Sequence, residues 1–418
     1  MVERIAIIGA GISGLLACKY TLSKGLTPIV FESQDEVGGV WTKTIRTTKL
    51  QTPKSLYQFS DFPWPPSLVQ NFPTQNQVLE YIQSYAHHHG LLCHIKLNTR
   101  VISLSYDGPP EGEMQTWTLW GGTEFPPGKG PEVFEGKVIH SMEYSAMDNA
   151  SAAKLVQGKK SGRIGFQKSG MDISMECTSA NGQNTGICLI SCHGEFPWLI
   201  SIKIASLSSW FISLVKGSFK PPRNISFASV PEGFFDRVED GSIIMKKAER
   251  FSFCSEGILI EGETEPLKID LLVLATGFKG VHKLKATFTS PTFRDLMDKD
   301  TRLPLYRECI HPRIPQLAFI GVSESIANLF TSEMTCRWLA ELLDGTFKLP
   351  SITEMEEDVC QWNNYMKQSL GESYSRSCLG AVQIWYNDQL CKDMGWKPHR
   401  KKGPFRELFE PYGPMDYS

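Results

Sequence analysis

The run ERIAIIGAGISGLLACKYTLSKGLTPIVFE constrains this chain more than any other stretch. Ile5 to Ile8 read as a strand, glycines follow at Gly9, Gly11 and Gly14, a helical pattern comes next, and a second strand from Pro28 to Phe31 ends at Glu32. That order is a βαβ unit. Its first glycine permits a tight turn, its second lets a pyrophosphate approach bare backbone, and its third lets helix and strand pack closely, with the helix N-terminus facing the phosphates. Ala10, Ile12 and Ser13 complete the loop, and Glu32, eighteen residues after Gly14, can accept hydrogen bonds from an adenosine ribose. The unit predicts an α/β fold with a dinucleotide site.

Two further glycine turns refine the ligand. DEVGGVWTKT places Gly38, Gly39 and Trp41 where backbone meets a ligand extending beyond the pyrophosphate, which suits a flavin better than a nicotinamide. KKSGRIGFQKSGMDI puts Gly165, Phe166, Gln167, Lys168, Ser169 and Gly170 in a turn like the first, but with Gln167 where a glycine is expected. A side chain there narrows backbone approach to phosphate, and Lys168 offers charge in compensation. The strand entering this turn is thin: Ser161, Gly162 and Arg163 stand where an apolar run is expected, and only Ile164 fits.

With 418 residues the chain predicts two or three domains of about 150 residues each. Net charge is −2 with both signs interspersed, which indicates neither a nucleic-acid partner nor a polybasic membrane anchor. The eleven cysteines are odd in number and form no C-x-x-C pair, Cys188 and Cys192 being the closest, as expected in a reducing compartment. Cys18 therefore lacks the companion that a flavin disulfide reductase needs beside its first helix. His87, His88 and His89 adjoin at a helix end and cannot face one ligand, so no metal site is expected. Phe196 to Lys216 has the length of a membrane span, yet Lys203 near its middle, five serines and Pro197 favour a buried or surface-lying apolar element. The N-terminus does not read as a leader, and cytoplasmic residence is expected, with contact at the endoplasmic-reticulum surface open through residues 196–216.

Several stretches carry a family resemblance. FEGKVIHSMEY spaces Phe134, Gly136, His140 and Tyr144 as the signature of flavin-containing monooxygenases and related Baeyer–Villiger enzymes does. KIDLLVLATGFKG runs an apolar strand into Ala275, Thr276 and Gly277, similar to the ATG turn of that family. LYQFSDFPWP and LAFIGVSESIANLFTSEMTCRWLAELL match plant members. Together they identify the chain as a member of the plant flavin-containing monooxygenases, similar to the immunity-associated branch that N-hydroxylates pipecolic acid.

The resemblance implies a fold with two dinucleotide-binding domains: a Rossmann-like FAD domain carrying an inserted NADPH domain. It implies a first FAD segment at 1–145, a linker MEYSAMDNAS, an NADPH domain at 146–265, and an FAD return segment with the C-terminal tail at 266–418. Gly321, ending the strand LAFIG before a helix starting near Thr331, would approach the flavin, with Thr276 and Gly277 near the cofactors. The implied chemistry is NADPH-dependent oxygenation of a nucleophilic nitrogen or sulfur of a small amine or sulfide by molecular oxygen, through a C4a-hydroperoxyflavin. No protein nucleophile is required, and no catalytic side chain is singled out. Where the family has a basic residue and a His-Trp pair, this chain has Ser191, Cys192 and His193, and the Ser-rich run 196–216 replaces longer family sequence. These departures predict an NADPH domain shortened or aberrant at 190–225, from a deletion or an aberrant gene model. The alternative reading is a paralogue that binds FAD but is catalytically impaired, with weak NADPH oxidase activity.

Overall fold

The computed structural model of the chain describes residues 4–105, 131–165, 168–181, 187–191, 231–247, 251–275, 285, 287–297, 303–323, 325, 327–370, 379, 382–409 and 412–417. Its first sheet is parallel, in the order β1-β2-β3, from β1 (Arg4–Ile8), β2 (Thr27–Phe31) and β3 (Ile95–Lys96). In-register pairing sets Ile7 against Val30. Between β1 and β2 runs α1 (Ile12–Ser23), with Gly14, Leu15, Leu16, Ala17, Cys18 and Thr21 buried. It packs against β1, β2 and a C-terminal helix (Asn328–Asp344), so it is covered on more than one side. Helix α2 (Gln75–His88) starts at a capping box in which the Thr74 amide donates to Gln77 Oε1 at 2.9 Å. It buries Val78, Tyr81, Ile82 and Tyr85 in the same core as α1, where Tyr85 stacks on Phe59 at 3.6 Å and Tyr81 on Trp64 at 3.8 Å between ring centres.

A second parallel sheet is assembled from β4 (Lys137–His140), β5 (Ser161–Ile164), β6 (Ile187–Ser191), β7 (Ile243–Lys247) and β11 (Leu271–Leu274), in the order β4-β11-β5-β6-β7. The sheet thus draws strands from both sides of the expected boundaries near 145 and 265. A small antiparallel sheet, β10-β9-β8, comes from β8 (Phe251–Cys254), β9 (Gly257–Ile260) and β10 (Leu267–Lys268). Helices α3 (Ser141–Ser145), α4 (Asn149–Val156), α5 (Lys168–Asn181) and α6 (Phe234–Glu239) accompany the larger sheet. After α7 (Pro291–Leu296), the C-terminal part holds α8 (Asn328–Asp344), α9 (Ile352–Leu370), α10 (Gln383–Asp393) and α11 (Pro404–Phe409).

Three local expectations change. The thin strand forms in full, and all four residues of β5 are buried. Parallel neighbours on both sides, β11 and β6, supply its backbone ladder. Gly162 leaves room for Ile269 and Leu272, whose methyl groups would stand 2.9 and 3.0 Å from an added Cβ. Among the described residues the stretch LAFIG, expected as a strand, makes only the isolated bridge of Ala318 to Ile310, with the Phe319 amide donating to Cys309 O at 2.8 Å. The segment MEYSAMDNAS, read as a linker, is largely helical: α3 and α4 occupy it, and Asp148 Oδ1 caps α4 by accepting from the Ser151 amide at 2.9 Å. The helix expected near Thr331 begins at Asn328. No helix among the described residues is long and apolar enough to cross a membrane. Phe196 to Lys216 lies outside the described residues, as do Cys192 and His193.

Candidate functional site

The first glycine turn closes as its spacing demands. Gly9 has φ +97°, and its amide donates to Phe31 O at 2.9 Å, tying the turn to the end of β2. The space beside it is open, with no atom within 4 Å of an added Cβ. Gly11 caps α1, and the Ala10 amide donates to Glu32 Oε2 at 2.6 Å. Glu32 is buried at 6 % exposure. Its Oε1 accepts from the Gln34 amide at 2.9 Å and from Ser33 Oγ at 3.2 Å. An ionised carboxylate has about four acceptor positions, so three protein donors leave room for one ribose hydroxyl. Ile12 and Ser13, the first residues of α1, are half-buried.

The second glycine turn lies directly on the first. An added Cβ at Gly39 would stand 2.7 Å from the α-carbon of Gly11, and the Gly38 amide donates to Ala10 O at 3.0 Å. From Gly39 the chain winds into a 3₁₀ turn, Gly39–Thr42, which presents Trp41. Trp41 is fixed by its Nε1 donating to Tyr57 OH at 2.8 Å and by its carbonyl accepting from Gln75 Nε2 at 2.5 Å. Gly321, with φ +76°, arrives from the C-terminal part, and an added Cβ there would meet Ser13 Oγ at 2.5 Å. Gly9, Ala10, Gly11, Ile12, Ser13, Gly14, Glu32, Gly39, Trp41 and Gly321 are therefore brought together. This cradle of bare backbone at a helix N-terminus fits a dinucleotide diphosphate.

At the other turn, Gly165 has φ +111° and leads toward α5, which Lys168 opens; Ser169 is exposed and Gly170 buried. Phe166 and Gln167 lie outside the described residues, as do Thr276 and Gly277. Lys168 does not project freely. Its Nζ is 2.5 Å from Asp172 Oδ1, and Asp172 Oδ2 accepts from Thr48 Oγ1 at 2.6 Å.

The signature residues have structural tasks. Phe134 lies so close over Gly136 that an added Cβ would sit 2.2 Å from the ring. His140 ends β4 and caps α3, its Nδ1 accepting from the Met142 amide at 3.2 Å. Tyr144 is buried, and burial raises its hydroxyl pKa.

One cluster escaped the sequence reading. Glu333 on α8 is fully buried; its carboxylate accepts from Tyr20 OH at 2.5 Å, Ser60 Oγ at 2.6 Å and the Ser60 amide at 3.0 Å. Arg337, one turn on, donates to the same carboxylate at 3.1 Å, to Tyr20 OH at 2.9 Å, and to Tyr417 O in the C-terminal tail. Burial and the adjoining carboxylate push the Tyr20 hydroxyl pKa up. The only sequence signal is an acid and a base four residues apart inside an apolar helix.

One glycine turn in a βαβ unit and another beside a second parallel sheet define an α/β fold of the class with two dinucleotide-binding domains. The family described as flavin-binding monooxygenase-like matches residues 2–119 and 230–402, and the chain belongs to it. The match omits 120–229, which holds the turn at Gly165. A flavin-containing monooxygenase of Arabidopsis thaliana is 36% identical over 95% of this chain and 98% of its own length. Another from the same plant is 33% identical over 99% of this chain and 96% of its own. That second alignment runs over 513 positions, more than the 418 residues present, so the relative has segments this chain lacks. Solved structures share the fold: an S-allyl-L-cysteine S-oxygenase from Allium sativum superposes with TM-score 0.62 at 16% identity, covering 97% of this chain and 90% of that one. A cyclohexanone monooxygenase does so with TM-score 0.61 at 16% identity, covering 94% and 97%. The chain is thus a plant-type, NADPH-dependent flavin monooxygenase, with FAD and NADPH as cofactors and a small molecule and oxygen as substrates.

Proposed function

We propose that the cradle of Gly9 to Gly14 holds the FAD diphosphate, with Glu32 on the adenosine ribose and Gly39, Trp41 and Gly321 along the flavin half. The observation that carries this is the Glu32 to Ala10 hydrogen bond, which sets the carboxylate on the turn itself. Gly165, Lys168, Ser169 and Gly170 are assigned to NADPH, with Phe166 and Gln167 between them, and Thr276 and Gly277 to the passage between the cofactors. The division into FAD segment 1–145, NADPH domain 146–265 and FAD return 266–418 belongs to the same reading, with β4 and β11 as the strands that join the regions.

When bound, the flavin activates oxygen for transfer to a soft nucleophile, and the protein's tasks are to position both cofactors and keep water away. The substrate proposed is an amine or sulfide, with pipecolic acid as the narrowest candidate. A second reading has specific support: Lys168 is already paired, and the chain lacks segments that a relative has. In that reading FAD binds but NADPH couples poorly.

Purified protein is expected to be yellow with FAD and to consume NADPH while oxygenating a tertiary amine, a thioether or pipecolic acid. NADPH consumption that yields hydrogen peroxide and no oxygenated product selects the second reading. A folded, colourless protein that takes up no FAD refutes both.

A further inference from the structure

We infer that Asp172 sets how strongly the second glycine turn takes the diphosphate of NADPH, by holding Lys168 away from it. The inference rests on the assignment of that turn to NADPH. Lys168 is the first residue of α5, where the helix dipole favours anions and disfavours a cation. A Lys four residues before an acid is also the weaker order for a helical ion pair. The helix alone therefore gives little reason for the 2.5 Å contact between Lys168 Nζ and Asp172 Oδ1. Burial gives the reason. The Asp172 side chain is 3% exposed, and Thr48 Oγ1, from a distant part of the chain, donates to its other oxygen at 2.6 Å.

A phosphate arriving at the start of α5 must compete with Asp172 for one ammonium. If Lys168 moves to the phosphate, a nearly buried carboxylate keeps, among the described residues, only the Thr48 hydroxyl, and that penalty subtracts from the affinity for the dinucleotide. Asparagine keeps the shape and an acceptor for Thr48 but removes the charge that retains the lysine. Loss of the Thr48 hydroxyl does the reverse, because among the described residues Lys168 is then the side chain left on the carboxylate.

The test uses the FAD-loaded protein and NADPH itself, titrated by protein fluorescence at low and high salt, with kcat and KM alongside. Asp172→Asn is expected to tighten NADPH binding on the order of ten-fold, the scale of one charged hydrogen bond, with a steeper salt dependence and unchanged kcat. Adding Lys168→Met should abolish that gain. Thr48→Val should weaken NADPH binding, and it carries the test if Asp172→Asn does not fold. Unchanged or weaker binding in Asp172→Asn, a gain that survives Lys168→Met, or unchanged affinity in Thr48→Val overturns the inference. Gly165→Val separates the two levels: if it leaves NADPH affinity intact, the turn is not the NADPH site and the assignment falls with the inference. If it abolishes binding while Asp172→Asn changes nothing, only the inference falls.

Discussion

The α-carbon of Gly14 packs against the carbonyl of Gly9, so closely that an added Cβ would stand 1.9 Å from that oxygen. At Gly11 the nearest atom to an added Cβ is Gly39 Cα at 3.3 Å, and its φ of −77° is open to any residue. Gly14→Ala should therefore destabilise the protein even without FAD, whereas Gly11→Ala should fold and lose flavin by blocking phosphate approach. Thermal melting of FAD-stripped protein beside flavin absorbance separates the two, and equal melting losses would refute the distinction.

Glu333 is a fully buried carboxylate whose partners come from α1, the loop at Ser60 and Arg337. Glu333→Ala leaves the Arg337 charge uncompensated, and a loss of about 3–5 kcal/mol is expected from breaking such a pair on one side. Glu333→Gln keeps an acceptor and should lose less. Urea unfolding midpoints give the ranking, and equal midpoints for both variants and the parent would show that the cluster contributes nothing.

Arg163 lies at 0% exposure in the centre of β5, paired in register with Val273 on one side and Leu189 on the other. Among the described residues its Nε and Nη2 have no hydrogen-bond partner, and Nη1 reaches Ser161 O only at 3.4 Å. A buried guanidinium with few acceptors keeps an unrepaid desolvation cost, which an apolar side chain of similar volume removes. Arg163→Ile is expected to raise the urea midpoint at unchanged slope. A fall would reveal a compensating partner for the guanidinium.

His311 is buried, and loss of solvent lowers its pKa below the usual 6.5. Its Nδ1 accepts from the Arg313 amide at 3.1 Å, which needs an unprotonated nitrogen. Burial likewise lowers the pKa of His89. Between the lowered folded value and 6.5 the unfolded chain binds more protons, so stability should fall as pH drops through and below 6.5. His311→Gln should flatten that decline in melting temperature, and an unchanged slope would exclude His311 as its source.

Much of this was legible because it is local. The spacing of Gly9, Gly11, Gly14 and Glu32 set the first turn, since each residue answers a constraint within one βαβ unit, and the family signature follows from contacts such as Phe134 on Gly136. β5 carries little signal in its own side chains, because a central parallel strand is fixed by its neighbours' backbones.

The sequence by itself determined where backbone must be bare and which acid follows it, and so the dinucleotide chemistry and the family. Only tertiary structure decided which groups are already engaged: Gly39 against Gly11, Lys168 on Asp172, and Glu333 joining Tyr20, Ser60 and Arg337. The reason is physical. A turn is written in neighbouring torsions, and an ion pair four residues apart can be read along one helix, but Asp172 is buried against Thr48 and Glu333 against Ser60 only when segments more than a hundred residues apart fold together.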